Sequence, residues 1–195
     1  MRAAVLDHSC QTQRHALSER RGDCYDTPPV AVEALLRVEK LPRLIWEPAA
    51  GTGNIVNVLR AAGHEVFASD LNNRGCLDCE TRIDFLLPTG PTQLFEAIVT
   101  NPPFALAEKF VEVALERAPL VIMLLRLAFY ESERRCHILE NCGLARIHTF
   151  RRRLPMMHRE NYSGPKANSG MAFAWYVWER DYTGPTVIDR ISWDR

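Results

Sequence analysis

The sequence lacks a surplus of either charge. Its 195 residues include 24 Lys plus Arg and 24 Asp plus Glu. A chain without net charge has no overall electrostatic field that draws it to nucleic acid or to an acidic membrane surface. Any surface that binds an acidic partner must therefore be a local cluster of basic residues.

Long apolar runs are also missing. The longest, at 119–125, ends at Arg126 and is far too short to span a bilayer, so we expect a buried strand there. The N-terminus has no apolar segment of signal-peptide length, because Asp7 and His8 interrupt it. These features predict a cytoplasmic protein that does not bind a membrane.

Cysteine is present but is not arranged as a disulfide framework. Six cysteines in a chain that is 47% hydrophobic belong to a protein that can build its own core, so we expect reduced thiols. Cys76 and Cys79 have the spacing of half a zinc site, whereas Cys136 and Cys142 lack the spacing of a second half. We predict no metal site, and the spacing alone leaves open whether Cys76 and Cys79 bind metal.

The hydrophobic pattern predicts one folded domain. Residues 1–23 are polar and aperiodic, which indicates a flexible N-terminal arm. Over residues 24–180 short apolar runs alternate with amphipathic stretches. This alternation predicts an α/β fold, a doubly wound and mostly parallel sheet with helices on both faces. Residues 181–195 are assigned to a C-terminal tail.

The same periodicity places the individual elements. Strands are predicted near 44–47, 65–69, 97–100, 119–125, 144–149 and 171–178, and helices at 53–62, 105–117 and 131–142. Thr27-Pro28-Pro29 predicts a hydroxyl cap and an early proline for a helix before the first strand. Residues 151–170 have no helical period and predict a long loop, which in a compact domain is usually functional or disordered.

A glycine turn follows the first predicted strand. The run from Glu47 through Pro-Ala-Ala to Gly51-Thr-Gly53 leads into a helix. In a doubly wound sheet a nucleotide-like ligand binds at such a turn, because glycine admits close approach and the helix N-terminus offers free N–H groups. Asp70 follows the next strand, where its carboxylate can accept hydrogen bonds from both hydroxyls of a ribose. The missing third glycine argues against a dinucleotide.

Asn101-Pro102-Pro103-Phe104 is the most specific feature of the chain. A strand that runs into two prolines loses backbone donors, so a functional gain is expected. An amino group conjugated to a ring is a poor nucleophile, because its lone pair is delocalised. Two acceptors on its N–H bonds would draw it toward tetrahedral geometry. We predict that the Asn101 side-chain oxygen and the Pro102 carbonyl are these acceptors, that the prolines fix their direction, and that Phe104 stacks on the target ring.

Together these motifs resemble the class I S-adenosylmethionine-dependent amino-methyltransferases, over roughly residues 24 to 178. The family's first motif has an acidic residue followed by glycines, and an acid after its second strand holds the ribose. The resemblance therefore implies S-adenosyl-L-methionine as the cofactor, with Glu47 beside its methionine part and Leu71 against its adenine. Since this cofactor brings an activated methyl group, no catalytic base is predicted.

Two further segments are similar to motifs of the same family. Arg82-Ile83-Asp84-Phe85-Leu86 resembles the third motif, which implies that Asp84 contacts the adenine amino group and Phe85 flanks the ring. Tyr25-Asp26-Thr27-Pro28 is similar to the aromatic-x-Thr-Pro motif, which implies that Tyr25 and Thr27 lie near the carboxylate of the cofactor. The structural alternatives are an ordinary surface acid for Asp84 and a simple helix cap for the second segment.

The resemblance identifies the acceptor as a planar amine better than it identifies the molecule. Asn-Pro-Pro-Phe is similar to the fourth motif of enzymes that act on DNA adenine, RNA guanine or a glutamine of release factors. The motif order resembles DNA adenine enzymes in which target recognition follows the catalytic motif, so we expect methyl transfer to the exocyclic amino group of adenine in DNA. Three alternatives stay open: an RNA base amino-methyltransferase, a protein glutamine methyltransferase, and an inactive nucleic-acid-binding module of this fold. The glutamine enzymes carry a helical domain ahead of the glycine motif, where only residues 1–46 lie here.

A basic loop is predicted to bind the acceptor nucleic acid. Its basic residues, set against the single acid Glu160, are Arg151, Arg152, Arg153, Arg159 and Lys166. A duplex base reaches a closed pocket only after rotation out of the stack, so such an enzyme needs contacts to the flanking phosphates, and Tyr162 is a candidate for stacking. The alternative is a solvated strand end. The sequence predicts neither the base context, nor the strandedness of the acceptor, nor the oligomeric state.

Overall fold

The computed structural model describes residues 26–88, 90–155 and 170–194. Within these ranges the helices are α1 (Pro29–Leu36), α2 (Asn54–Ala61), α3 (Ala107–Arg117) and α4 (Cys136–Glu140). The strands are β1 (Leu44–Glu47), β2 (Glu65–Asp70), β3 (Glu80–Thr81), β4 (Ala97–Thr100), β5 (Leu120–Arg126), β6 (Leu144–Phe150), β7 (Phe173–Glu179) and β8 (Val187–Ile191). The predicted arm at 1–23 lies outside the described residues.

All eight strands belong to one sheet, in the order β3-β2-β1-β4-β5-β7-β6-β8. β7 runs antiparallel to both of its neighbours, whereas the other paired strands are parallel. The chain steps outward from β1 to β2 and β3 and then returns to β4 on the other side of β1. The predicted fold class is confirmed, and this reversal of strand order opens a crevice at the carboxyl ends of β1 and β4.

The central strands are buried on both faces. On β5, Ile122 and Leu124 pack into one cluster of apolar side chains together with α1 and α2. Val121 and Met123 point the other way and pack with α3 and α4. A strand covered on both sides has no polar face, which explains why this part of the sequence is continuously apolar rather than alternating.

Six of the strands were predicted to within two residues at either end. The helix predicted at 131–142 is much shorter, since only Cys136–Glu140 is α-helical and a 3-10 turn at Glu133–Arg135 precedes it. Gly143 follows with a φ of 73°, and a Cβ at this position would lie 2.1 Å from the Glu179 carbonyl oxygen. The chain therefore turns sharply into β6 at a position that accepts only glycine.

Two strands and one cap were not as predicted. β8 pairs in parallel with β6, so describing 181–195 as a tail is wrong for Val187–Ile191. Four of the five β8 residues are exposed, and an exposed edge strand shows no apolar alternation in the sequence. β3 has only two residues, Glu80 and Thr81, and both are exposed. The residue that caps α1 is Pro28, and no side chain caps the helix, so the predicted Thr27 hydroxyl cap is also wrong.

Three further observations concern the cysteines, the metal-binding side chains and the helices of the described residues. Cys76, Cys79, Cys136 and Cys142 are free thiols, as expected. Within the described ranges no group of three or more His, Cys, Asp or Glu side chains is placed to hold a metal ion. Nor does any helix in these ranges have both the length and the apolar character that crossing a membrane requires.

Candidate active site

A cavity of about 210 Å³ opens at the carboxyl ends of β1, β2 and β4. Its walls are formed by the turn after β1, the segment after β2, residues 83–86, the segment after β4 and the two residues 26 and 27. The predicted cofactor-binding residues that line it are Thr27, Gly51, Asp70, Leu71, Asp84 and Phe85. Residues that are far apart in the sequence therefore line the same cavity.

The glycine turn has the backbone conformation that requires glycine. Gly51 and Gly53 have φ angles of 55° and 89°, in the left-handed region. A Cβ at Gly53 would lie 2.9 Å from the Cys76 sulfur, so the turn also packs closely against the segment between β2 and β3. Gly51 lines the cavity and Gly53 does not. Gly53 instead directs the chain into α2, whose first residues, Asn54 and Ile55, face the cavity.

Asp70 holds the glycine turn in place. The Gly51 N–H donates to its Oδ2 at 2.9 Å, and the Asn72 N–H donates to its Oδ1 at 2.9 Å. A carboxylate has about four lone-pair sites for hydrogen bonds, so each oxygen can still accept a hydroxyl from a ligand in the cavity. The same side chain thus fixes the local backbone and presents acceptors to the cavity.

Glu47 lies behind the cavity wall rather than on it. Its side chain is fully buried, and its Oε1 accepts the Thr100 hydroxyl at 2.6 Å and the Ala49 N–H at 3.0 Å. Its Oε2 has no hydrogen-bond partner among the described residues. Burial raises the pKa of Glu47 to about 8. The carboxyl is therefore largely protonated at neutral pH and ties the end of β1 to the end of β4.

The segment after β3 contributes both polar and apolar lining. Asp84 reaches the cavity, and its Oδ1 accepts the Leu86 N–H at 3.0 Å. Phe85 borders the cavity but is only 2% exposed. Its ring packs against Trp46 and Phe110 with centroid distances of 5.1 and 4.9 Å. Phe85 is therefore mainly a core residue, whereas Leu71, 55% exposed, remains accessible at the cavity.

The Asn-Pro-Pro-Phe motif meets the cavity through Asn101 and Pro103. The Asn101 Nδ2 donates to the Thr27 hydroxyl oxygen at 3.0 Å. Pro102 is buried, and the two prolines lead from β4 into a 3-10 turn at Phe104–Leu106. Six of the residues predicted to bind the cofactor therefore share one cavity with Asn101, one of the two residues predicted to polarise the acceptor amine.

Comparisons with known proteins support the fold. No family model and no curated protein matches the sequence. Among solved structures, a protein from Listeria monocytogenes assigned to the class I S-adenosylmethionine-dependent methyltransferases is similar at a TM-score of 0.63 and 14% identity, over 93% of this chain and 69% of that one. This chain has the class I methyltransferase fold.

Two further structures with this methyltransferase fold differ in their assigned substrates. A protein from Pyrococcus horikoshii, assigned as an RNA methyltransferase, matches with a TM-score of 0.62 and 15% identity, over 86% of this chain and 90% of that one. A modification subunit assigned to a type I restriction enzyme of Vibrio vulnificus matches with a TM-score of 0.56 and 15% identity, over 84% of this chain. This chain spans 45% of that subunit.

Phe104 does not belong to the lining of the cavity in this methyltransferase fold. The Arg126 guanidinium carbon lies 4.4 Å from the centre of its ring, and the Phe173 ring lies 5.5 Å away. Arg126 and Phe173 are paired residues of β5 and β7. An arginine therefore covers part of the ring that was predicted to stack on the target base, and no pattern in the sequence indicates this contact.

The three consecutive arginines also lie away from the cavity lining, after the end of β6. Arg152 forms an ion pair with Asp194 at 2.9 Å, and Arg153 donates to the Gly170 carbonyl. The Arg151 N–H donates to the Ile191 carbonyl at 2.9 Å. The C-terminal residues thus hold this basic run and offset part of its charge. Tyr25, Arg159, Tyr162 and Lys166 lie outside the described residues.

Some lining residues were missed. Ile83, Leu86 and Leu106 add apolar surface, while Asn54 and Arg74 add polar groups. Ile83 and Leu86 lie inside the third motif but were given no role there. Asn54 and Leu106 are within two residues of a motif, so a wider window would have found them. Arg74 lies between β2 and β3, where the sequence has no periodic pattern.

Proposed function

We propose that this chain is an S-adenosylmethionine-dependent methyltransferase that acts on the exocyclic amino group of adenine in DNA. The observation that carries the proposal is the shared cavity. Gly51, Asp70 and Asp84 face it from the ends of β1 and β2 and from residues 83–86, and Asn101 faces it from the end of β4. A cofactor and an acceptor amine bound there can react directly, without a covalent enzyme intermediate.

The residues present fit the proposed cofactor. The Asp70 oxygens suit the ribose hydroxyls, and the apolar side chains of Leu71, Ile83 and Leu86 suit a flat adenine ring. Asp84 offers a carboxylate to the adenine amino group. When bound, S-adenosylmethionine supplies an activated methyl group and a good leaving group. The chain then has to orient the two reactants and exclude water.

The acceptor half suits a planar amine. The Asn101 side-chain oxygen accepts one N–H of the amine, and the Pro102 carbonyl accepts the other. Both hydrogen bonds strengthen as the nitrogen becomes tetrahedral, so they favour the transition state over the ground state. After the methyl has been transferred, the methylated amine releases one proton to water.

DNA is the proposed acceptor because of the order of the motifs and because of the basic run Arg151–Arg153. The similar modification subunit is assigned to a restriction enzyme, which is consistent with DNA. RNA is the second candidate, because the assigned RNA methyltransferase is matched over 90% of its length and so has the same compact size. The protein glutamine and binding-only alternatives have no comparable support.

Transfer of a labelled methyl group tests the proposal. The purified chain is incubated with methyl-labelled S-adenosylmethionine and, in separate reactions, duplex DNA, single-stranded DNA, total RNA and cell protein, with Asn101→Ala as the matched control. Label on N6 of adenine in DNA that the control does not produce supports the proposal. Label found only in RNA would overturn DNA as the acceptor and favour RNA, the second candidate. Label found only in protein would overturn the nucleic-acid proposal. If the chain binds the cofactor but transfers no methyl group, it is a binding module and not an enzyme.

A further inference from the structure

We infer that Thr27 is a positioning residue that holds the Asn101 side-chain amide in place beside the acceptor amine. The inference rests on the proposed methyl transfer. Thr27 lines the same cavity as Asn101, and only 5% of its surface is exposed. Its hydroxyl oxygen accepts the Asn101 Nδ2 at 3.0 Å.

The orientation of this amide decides whether the site can work. The two ends of an asparagine side chain have nearly the same shape, and rotation about the last torsion angle exchanges them. One end accepts hydrogen bonds and the other only donates them. An acceptor amine needs the oxygen end, because the nitrogen end would place one donor against another. The nitrogen end of Asn101 is hydrogen-bonded to Thr27, so the Asn101 oxygen points away from Thr27. Since a hydroxyl can donate as well as accept, this contact holds the amide in place and does not select its end by itself.

Thr27 is itself held from the cofactor side of the cavity. Its carbonyl accepts the Asn54 Nδ2 at 3.0 Å, and Asn54 is the first residue of α2. The neighbouring Asp26 accepts the Thr52 hydroxyl at 3.0 Å. Because both contacts come from the glycine turn and the start of α2, the position of Thr27 does not depend on Asn101.

The Thr27 hydroxyl does not cap the helix that follows it. A threonine before a helix normally caps it, but here Pro28 occupies the N-cap position and no side chain caps α1. Loss of the hydroxyl should therefore leave the helix unchanged and act on Asn101.

The substitution Thr27→Val keeps the shape of the side chain and removes the hydroxyl, whereas Thr27→Ser keeps the hydroxyl. We expect Thr27→Val to lower kcat by about tenfold, since one neutral hydrogen bond then no longer orients the amide. Because Thr27 was also predicted to lie near the cofactor carboxylate, we expect the KM for the cofactor to change as well, but less than kcat does, and Thr27→Ser to restore kcat. Thr149→Val is the matched control, because its hydroxyl donates to the Asp189 carbonyl at 2.8 Å at the β6/β8 edge of the sheet, far from the cavity.

A second measurement reads the amide directly and needs no activity. The side-chain NH2 pair of Asn101 is identified in a 15N-correlated NMR spectrum by its absence in Asn101→Ala. Thr27→Val should shift or broaden this pair, whereas Thr27→Ser and Thr149→Val should leave it in place. If Thr27→Val does not fold, Thr27→Ala provides the same comparison.

The outcomes separate the positioning role from the proposed function. Wild-type transfer with unchanged kcat in Thr27→Val, or an equal loss in Thr27→Val and Thr27→Ser, overturns the positioning role alone. An Asn101 amide signal that Thr27→Val does not alter overturns it as well. A wild-type chain that transfers no methyl group to any acceptor overturns the proposed function, whereas the amide spectrum of Thr27→Val still decides whether Thr27 holds Asn101.

Discussion

The cofactor half and the acceptor half of the cavity are held together in different ways. In the cofactor half, the Asp70 carboxylate fixes the backbone N–H groups of Gly51 and Asn72, in the loops that follow the paired strands β1 and β2. In the acceptor half, the contacts join side chains: Asn101 is held by Thr27, and Phe104 is covered by Arg126. The cofactor half thus depends on backbone groups of two successive loops, whereas the acceptor half depends on side chains from separate elements.

Asn101→Ala gives the sharpest test of this division. It removes an acceptor whose hydrogen bond is strongest in the transition state, so we expect kcat to fall by about 10²- to 10³-fold, the size of effect seen for a single transition-state hydrogen-bond donor elsewhere. The dissociation constant for the cofactor, measured by calorimetry, should change by less than about threefold. If cofactor binding is lost together with transfer, the two halves are not separate.

The substitution Asp70→Asn tests the cofactor half of the cavity. It keeps the size of the side chain but removes a charged acceptor of two backbone hydrogen bonds, so the turn loosens and the ribose loses its partner. We expect cofactor affinity to fall by about 10- to 100-fold, as for hydrogen bonds to a charged group. Calorimetry with Asp189→Asn, an exposed acid on β8, gives the matched control. Unchanged affinity would assign Asp70 to the backbone turn only.

Glu47 couples the two halves, and its effect is visible in the pH dependence of stability. Its pKa in the folded chain is raised to about 8 from an ordinary value of 4.5. The stabilisation from the neutral carboxyl is therefore complete below pH 4.5 and is lost as the pH rises toward 8. The contribution of this group makes the free energy of unfolding fall with rising pH, by at most about 1.4 kcal/mol per pH unit.

Chemical denaturation between pH 5 and pH 8 measures this slope. Glu47→Gln should flatten it, because the amide keeps an oxygen for Thr100 and Ala49 but has no proton to lose. Glu65→Gln, at an exposed position, should leave it as in the wild type. A slope that is the same in all three proteins would show that Glu47 does not titrate in this range.

The same contrast explains what the sequence could and could not predict. Gly51, Gly53 and Asp70 were predictable because positive φ angles and a carboxylate at a strand end leave a local pattern. β8 was not, since an edge strand needs only a neighbour for its backbone and can expose side chains of any kind. The partners of Phe104 and Asn101 were not predictable either. Arg126 and Phe173 come near Phe104 only when β4, β5 and β7 pair, and Thr27 reaches Asn101 from the segment before α1.

A substitution of Arg126 tests how the Phe104 ring of the acceptor half is held in place. Arg126→Met keeps the length of the side chain and removes the guanidinium that lies over Phe104. A cation–π contact at a partly exposed site contributes about 0.5–1 kcal/mol, so we expect the KM for the acceptor to change by about two- to fivefold. The KM for the cofactor should not change. Equal changes in both constants would indicate a general loss of structure.

The smallest effect is expected for the arginines at 151–153, whose side chains differ in their partners. The Arg152 guanidinium pairs with Asp194, so Arg151 has more charge to offer a phosphate. We expect Arg151→Gln to reduce the slope of log affinity against log salt concentration by about one, the amount for one lost phosphate contact. Arg152→Gln should reduce it less, and Asp194→Asn should strengthen binding slightly by releasing Arg152. If the slope is the same in all three variants and the wild type, Arg151–Arg153 do not contact the phosphates of the acceptor. Another surface must then make these contacts.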